Sequence, residues 1–161
     1  MKIPYVNLTE QYKQEKNDLL KVIDNTLKSG NYVGGKEVEK FEQNISKICG
    51  TKFCISLNSG TDALTLSLFA SGVRKGDEVI TPPNSFVAST AVIVHLGAKP
   101  VFVDVKDDQN INEDLIEKKI TNRTKAIMPV HLTGRMCNME KIIKISKKYK
   151  IPVIEDSAQA I

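Results

Sequence analysis

From Thr51 onward, strand-length and helix-length segments alternate without a break, and this alternation constrains the fold more than any other feature of the chain. Residues 52–57 read as a strand, 60–71 as a helix, 77–81 as a strand and 84–96 as a helix closed by Gly97. The pattern continues with a strand at 100–105, a helix at 112–120, a strand at 125–130, a helix at 139–149 and a last strand at 151–155. Parallel neighbours need crossover connections, and those crossovers lay helices over the sheet. The expectation is therefore an α/β fold: a mostly parallel sheet with helices on both faces.

Residues 1–50 have a different pattern and predict an N-terminal helical arm, with the α/β domain over 51–161. Tyr12, Leu19, Leu20, Ile23 and Leu27 share one helical stripe that stops at Ser29 and Gly30. Val38, Phe41, Ile45 and Ile48 form a second, stopped by Gly50. The loop between them, GNYVGG, places Gly30, Gly35 and Lys36 at the spacing of a phosphate-binding P-loop. Glu37 stands where that loop needs a hydroxyl, and a helix precedes it where a strand is required, so a turn is expected instead.

Composition narrows the function. The net charge of +4 is spread along the chain, and its one dense basic stretch, Lys141 to Lys150, has helical spacing and no interleaved aromatic residues until Tyr149. That reads as a solvated helix face, and nucleic acid is not an expected partner. Cys49, Cys54 and Cys137 are an odd set without a CxxC pair, which argues for reduced thiols rather than disulfides or zinc. No run approaches a membrane span and the N-terminus has no signal-peptide core, so the cytoplasm is the expected compartment. No GxGxxG follows a strand, no GxSxG is present, and His95 and His131 lack ligand spacing, so no metal site is expected.

If the strands are parallel, their carboxyl ends share one edge, and in such sheets ligands bind at that edge. After the first strand, Ser59, Gly60 and Thr61 open a helix whose free N–H groups suit a phosphate, although an ordinary N-cap accounts for the same residues. After the second, Phe86 stands at a helix start, where it either covers a flat ligand or packs in the core. Asp104 suits a turn, and His131 comes after the fourth strand. Asp156 lies just past the last apolar strand, where an ionised carboxylate calls for a cation.

A phosphate candidate, a flat aromatic and a strand-end carboxylate are the parts a pyridoxal phosphate site needs. Together with IPYVNLTEQY, YVGGKEVEKFE, SGTDAL, GDEVITPPNSFVAS, GAKPVFVDV, KAIMPVHLTG and VIEDSAQA, they make the sequence resemble the DegT/DnrJ/StrS family of pyridoxal-phosphate-dependent nucleotide-sugar aminotransferases, of fold type I. The resemblance runs nearly the whole length of the chain. It implies that Gly60 and Thr61 bind the cofactor phosphate, Phe86 stacks on the ring, Asp156 pairs with the ring nitrogen and Gln159 reaches the phenolic oxygen. Ser85 and His131 match the family pattern without an assigned role.

The resemblance also implies a Schiff-base lysine, which in this family lies beyond EDSAQA and hence beyond Ile161, so no catalytic residue is assigned within the chain. The small C-terminal domain of the family lies beyond it as well. By resemblance, the chain is expected to be the N-terminal portion of a homodimeric aminotransferase that moves an amino group, with glutamate as donor, onto a nucleotide-linked keto-deoxysugar. Two alternatives stand beside it: a sugar dehydratase of the same family, in which histidine replaces the lysine, and a catalytically silent fragment or binding module.

Overall fold

The structure is a computed structural model that describes residues 3–160; Met1, Lys2 and Ile161, the outermost residues of the two predicted segments, lie outside the described residues. It divides into two compact units, Met1–Ser56 and Leu57–Ile161.

The first unit holds helix α1, Leu8–Ser29, and helix α2, Lys36–Cys49. Asn7 caps α1 by accepting the Glu10 N–H, and Gly30 ends it in the left-handed conformation at φ 70°, which glycine adopts without a Cβ penalty. Gly50 ends α2 the same way, so both predicted stops hold. The GNYVGG loop joins two helices, as the turn reading requires. None of the residues of α1 or α2 is buried, and both apolar stripes are largely open to solvent, with Ile45 half-buried.

The predicted strand at 52–57 does not form as a ladder. Its residues have no strand partner among the described residues, with Phe53 73% and Ile55 78% exposed. Alternating apolar residues give a segment two faces; pairing needs a neighbour as well, which periodicity does not report.

The second unit is a three-layer α/β structure. Helix α3, Gly60–Ala70, leads to strand β1, Glu78–Thr81; helix α4, Val87–His95, leads to β2, Lys99–Phe102. A short helix α5, Glu113–Ile116, tightens into a 3₁₀ turn over Glu117–Lys119 before β3, Thr124–Ile127. Helix α6, Met139–Tyr149, comes next. The sheet order is β2-β1-β3, with both pairings parallel.

The two-residue period of the strands sorts the core into two layers. Val79, Ala126 and Met128 meet Leu64 and Leu68 of α3 and Val92 and Ile93 of α4. Ile80 and Ile127 share the opposite layer with Ile116 of α5 and Ile142 and Ile145 of α6. Helices therefore cover both faces, as expected. On α6, Ile142 and Ile145 are buried while Lys144, Lys147 and Lys148 are exposed, so the basic stretch is a solvated face.

The predicted last strand is present only as two isolated parallel bridges, Ile127 to Val153 and Val130 to Asp156. Proline explains the interruption. Pro129 and Pro152 stand on the two facing segments, and neither has an N–H to give to the ladder. Each still accepts: the Ile127 N–H donates to the Pro152 carbonyl and the Asp156 N–H to the Pro129 carbonyl, both at 3.0 Å. The main chain is thus held in register beside β3 up to Asp156.

At the amino end of β1, Glu78 is buried and accepts from the Thr121 hydroxyl at 2.6 Å and from Arg123 at 2.8 Å. The Thr121 hydrogen bond, and after it the Arg123 guanidinium, hold its carboxyl below the ordinary value of 4.5, against the opposing effect of burial. A depressed folded value stabilises the protein fully above the ordinary value, and that stabilisation is lost as pH falls through the lowered one. Glu78→Gln is expected to lower the melting temperature by roughly 3–6 °C near neutral pH. The difference from the wild type should shrink as melting is measured downward from pH 4.5. A gap that stays constant as the solution is acidified would assign the loss to packing instead.

Candidate functional site

Each helix that comes after a strand starts at the sheet's carboxyl edge. α3 runs back to the amino end of β1, so its first residue lies at the carboxyl edge; α4 begins a few residues after β1 ends there. Val130, just past β3, pairs with Asp156 at the same edge.

The N-terminus of α3 is built by Ser59, whose hydroxyl accepts the Asp62 N–H at 3.1 Å. The cap satisfies one of the helix's open donors and leaves the Gly60 and Thr61 N–H groups without an acceptor among the described residues. A Cβ built on Gly60 meets nothing within 4 Å, so the space beside this backbone is open. The N-cap and the anion-site readings are therefore compatible: Ser59 caps, and the next two amides face outward.

Phe86 is the N-cap residue of α4 and is 73% exposed. The ring therefore lies outside the core of this unit.

Asp156 is buried, 9% exposed, and makes no ion pair among the described residues. Its Oδ2 accepts from the Ser89 hydroxyl at 2.7 Å, and its Oδ1 accepts from the Ala158 N–H at 3.3 Å. The Ser89 hydroxyl in turn lies 2.6 Å from that of Ser85. Ser89 is fully buried on the face of α4 that also carries Val92 and Ile93.

Gln159 is exposed, and its Oε1 accepts the Thr133 N–H at 2.8 Å. That contact assigns the amide: oxygen to Thr133, and the NH₂ group left to donate elsewhere. Thr133 has φ 50° and Gly134 φ 91°, and a Cβ on Gly134 would stand 2.9 Å from the Gln159 carbonyl oxygen. Glycine is required there twice over, by its backbone conformation and by close approach.

His131 is buried beneath this edge. Its Nδ1 accepts from the Cys137 N–H at 3.2 Å, so the ring proton sits on Nε2, which donates to Glu155 at 2.9 Å. Both nitrogens are engaged, a hydrogen-bonded structural group. Cys137 donates its thiol to the Val130 carbonyl, and burial pushes that thiol up to about 11, so it stays protonated. It is a packing residue.

Direct contacts thus join Ser85, Ser89 and Asp156, and separately Thr133 and Gln159. Gly60, Thr61 and Phe86 stand at the same edge without a hydrogen bond to Asp156. Sequence reasoning left Ser89 and the Thr133–Gly134 clamp unread. A signal for Ser89 existed: a polar residue three and four positions before Val92 and Ile93, on the buried side of an apolar helix.

Chemically, the edge offers outward amides for an anion, an open aromatic face, a buried carboxylate that meets no cation among the described residues, and an amide donor. That donor set fits a flat ligand bearing a phosphate, a protonated ring nitrogen and a phenolic oxygen, which is pyridoxal phosphate. Among the described residues no cluster suited to a metal ion occurs, and no helix is long and apolar enough to cross a membrane.

The fold and its edge define an α/β domain of the kind seen in fold type I pyridoxal phosphate transferases. The model of the DegT/DnrJ/EryC1/StrS aminotransferase family matches residues 13–161, and the chain belongs to that family. It is 45% identical over 159 residues to the dTDP-3-amino-3,6-dideoxy-alpha-D-galactopyranose transaminase of Aneurinibacillus thermoaerophilus, covering 98% of this chain and 44% of the relative. It is 43% identical over 159 residues to the UDP-2-acetamido-2-deoxy-3-oxo-D-glucuronate aminotransferase of Pseudomonas aeruginosa, with the same coverage of 98% and 44%. Among solved structures, NtdA of Bacillus subtilis with bound cofactor PMP superposes with a TM-score of 0.95 at 37% identity, over 99% of this chain and 37% of that one. The chain spans less than half the length of each of these proteins.

Proposed function

We propose that this chain is the cofactor-binding portion of a pyridoxal-phosphate-dependent aminotransferase that acts on a nucleotide-linked keto-deoxysugar, with glutamate as amino donor. The observation that carries the reading is Asp156, a buried carboxylate at the carboxyl edge that lacks a cation among the described residues. The names of the relatives, sugar transaminases on dTDP and UDP substrates, support the substrate class.

In this reading the Gly60 and Thr61 amides and the Thr61 hydroxyl bind the phosphate, Phe86 covers one face of the ring, and Gln159 donates its free NH₂ to the phenolic oxygen. Asp156 keeps a proton on the ring nitrogen. When bound, the cofactor supplies a ring that accepts electrons while an amino group is moved. Residues 1–50 form an arm and 51–161 the cofactor-binding domain of a cytoplasmic homodimer. The solvent-facing stripes of α1 and α2 suit an arm that packs on other surfaces.

Mixing the full-length protein with pyridoxal phosphate and then glutamate tests the reading. The visible absorption band should give way to that of the pyridoxamine form, with one 2-oxoglutarate released per site. A spectrum indifferent to glutamate would count against the aminotransferase assignment.

A further inference from the structure

We propose that Ser89 is a positioning residue for the cofactor, holding the Asp156 carboxylate in orientation and keeping the shared proton on the ring nitrogen, with Ser85 as the next donor behind it. The inference rests on the pyridoxal phosphate reading and deepens it.

The hydrogen bonds have only one consistent direction. An ionised carboxylate accepts and never donates, so the Ser89 hydroxyl, 2.7 Å from Asp156 Oδ2, gives it its single proton. That proton is then committed. In the 2.6 Å contact with Ser85, Ser89 must accept, and Ser85 donates. The result is a one-way chain, Ser85 to Ser89 to Asp156. It starts beside Phe86, crosses the buried side of α4 and ends on the carboxylate.

The chain does two things for Asp156. With Oδ2 held by Ser89 and Oδ1 by the Ala158 N–H, the carboxylate plane is fixed, and each oxygen keeps a lone pair for one external cation. A hydroxyl donated to a carboxylate also favours its charged form, and in a buried site such charge-assisted bonds are the strong ones. An Asp156 that has lost this donor would compete harder for the proton it shares with a ring nitrogen. Ser89 is fully buried, so water does not replace the missing hydroxyl.

The test uses the full-length protein and pyridoxal phosphate labelled with ¹⁵N in the ring, whose chemical shift reports whether the nitrogen carries a proton. Ser89→Ala is expected to weaken cofactor binding about tenfold, as for a lost hydrogen bond to a charged group, and to move the shift toward the unprotonated value. Ser85→Ala should do the same to a smaller extent, about threefold. Ser89→Thr, which keeps the hydroxyl, should restore the wild-type shift. A merely structural serine would lower the melting temperature of the alanine variants and leave the ¹⁵N shift unchanged, and that result overturns the proposal. Should Ser89→Ala fail to fold, the Ser85→Ala shift decides alone. If the wild-type protein binds no pyridoxal phosphate, the cofactor reading fails and this inference with it; if wild type binds, Asp156→Ala does not and Ser89→Ala matches wild type, only the inference fails.

Discussion

Asp156→Ala in the full-length protein is expected to weaken pyridoxal phosphate binding by two to three orders of magnitude, the largest functional effect of any single change in this chain. The size comes from electrostatics. Two unit charges at contact distance attract by about 4 kcal/mol at an effective dielectric of 20, which corresponds to about a thousandfold in affinity. Part of that is offset because the variant no longer has to keep a carboxylate out of water. Asp156→Asn separates charge from shape. It preserves the size of the side chain and an acceptor for Ser89, yet it has no charge to hold a proton on the ring. It should lose nearly as much affinity as alanine. Equilibrium titration monitored by cofactor absorbance measures both, with thermal melting to verify folding. Binding within about threefold of wild type in both variants would mean that Asp156 faces no cation, and the site would have to be sought elsewhere on the edge.

Asp156 marks the boundary between what a sequence reports and what it conceals. Its position just past an apolar run was legible, and so was the helix start at Gly60, because caps, glycines and prolines act locally; the next helix, expected from residue 84, starts only at Val87. Gly30 and Gly50 stop their helices where expected for the same reason. Pairing is not local. The run at 52–57 has the alternation of a strand and no strand partner among the described residues, while 151–155 has a neighbour but loses its ladder to two prolines. The partners of the site residues were equally hidden. Ser89 lies 67 positions from Asp156 and Thr133 26 from Gln159, and no spacing rule links residues that far apart. What did announce Ser89 was its mismatch with its surroundings, a hydroxyl on a helix face otherwise built from Val92 and Ile93.

The second large effect concerns the scaffold that holds this edge. Ile80→Ala in the 161-residue chain is expected to destabilise the second unit by about 2–5 kcal/mol, the cost of emptying a fully packed aliphatic site. Ile80 lies on the central strand, fully buried in the layer with Ile127, Ile142 and Ile145, so strands and helix together would have to move to fill the hole. Ile55→Ala removes the same atoms from a side chain that is 78% exposed, and is expected to change stability by less than about 0.5 kcal/mol. Urea denaturation of the two variants compares them directly. The contrast tests the architecture, because both residues sit in runs that read as strands and only one has found a sheet. Equal destabilisation by the two changes would place Ile55 in a core as well. If instead the contrast holds, the integrity of the carboxyl edge depends on the β2-β1-β3 ladder and its two helical layers, and Asp156 is delivered to its place by Val130 and Pro129 at the end of that ladder.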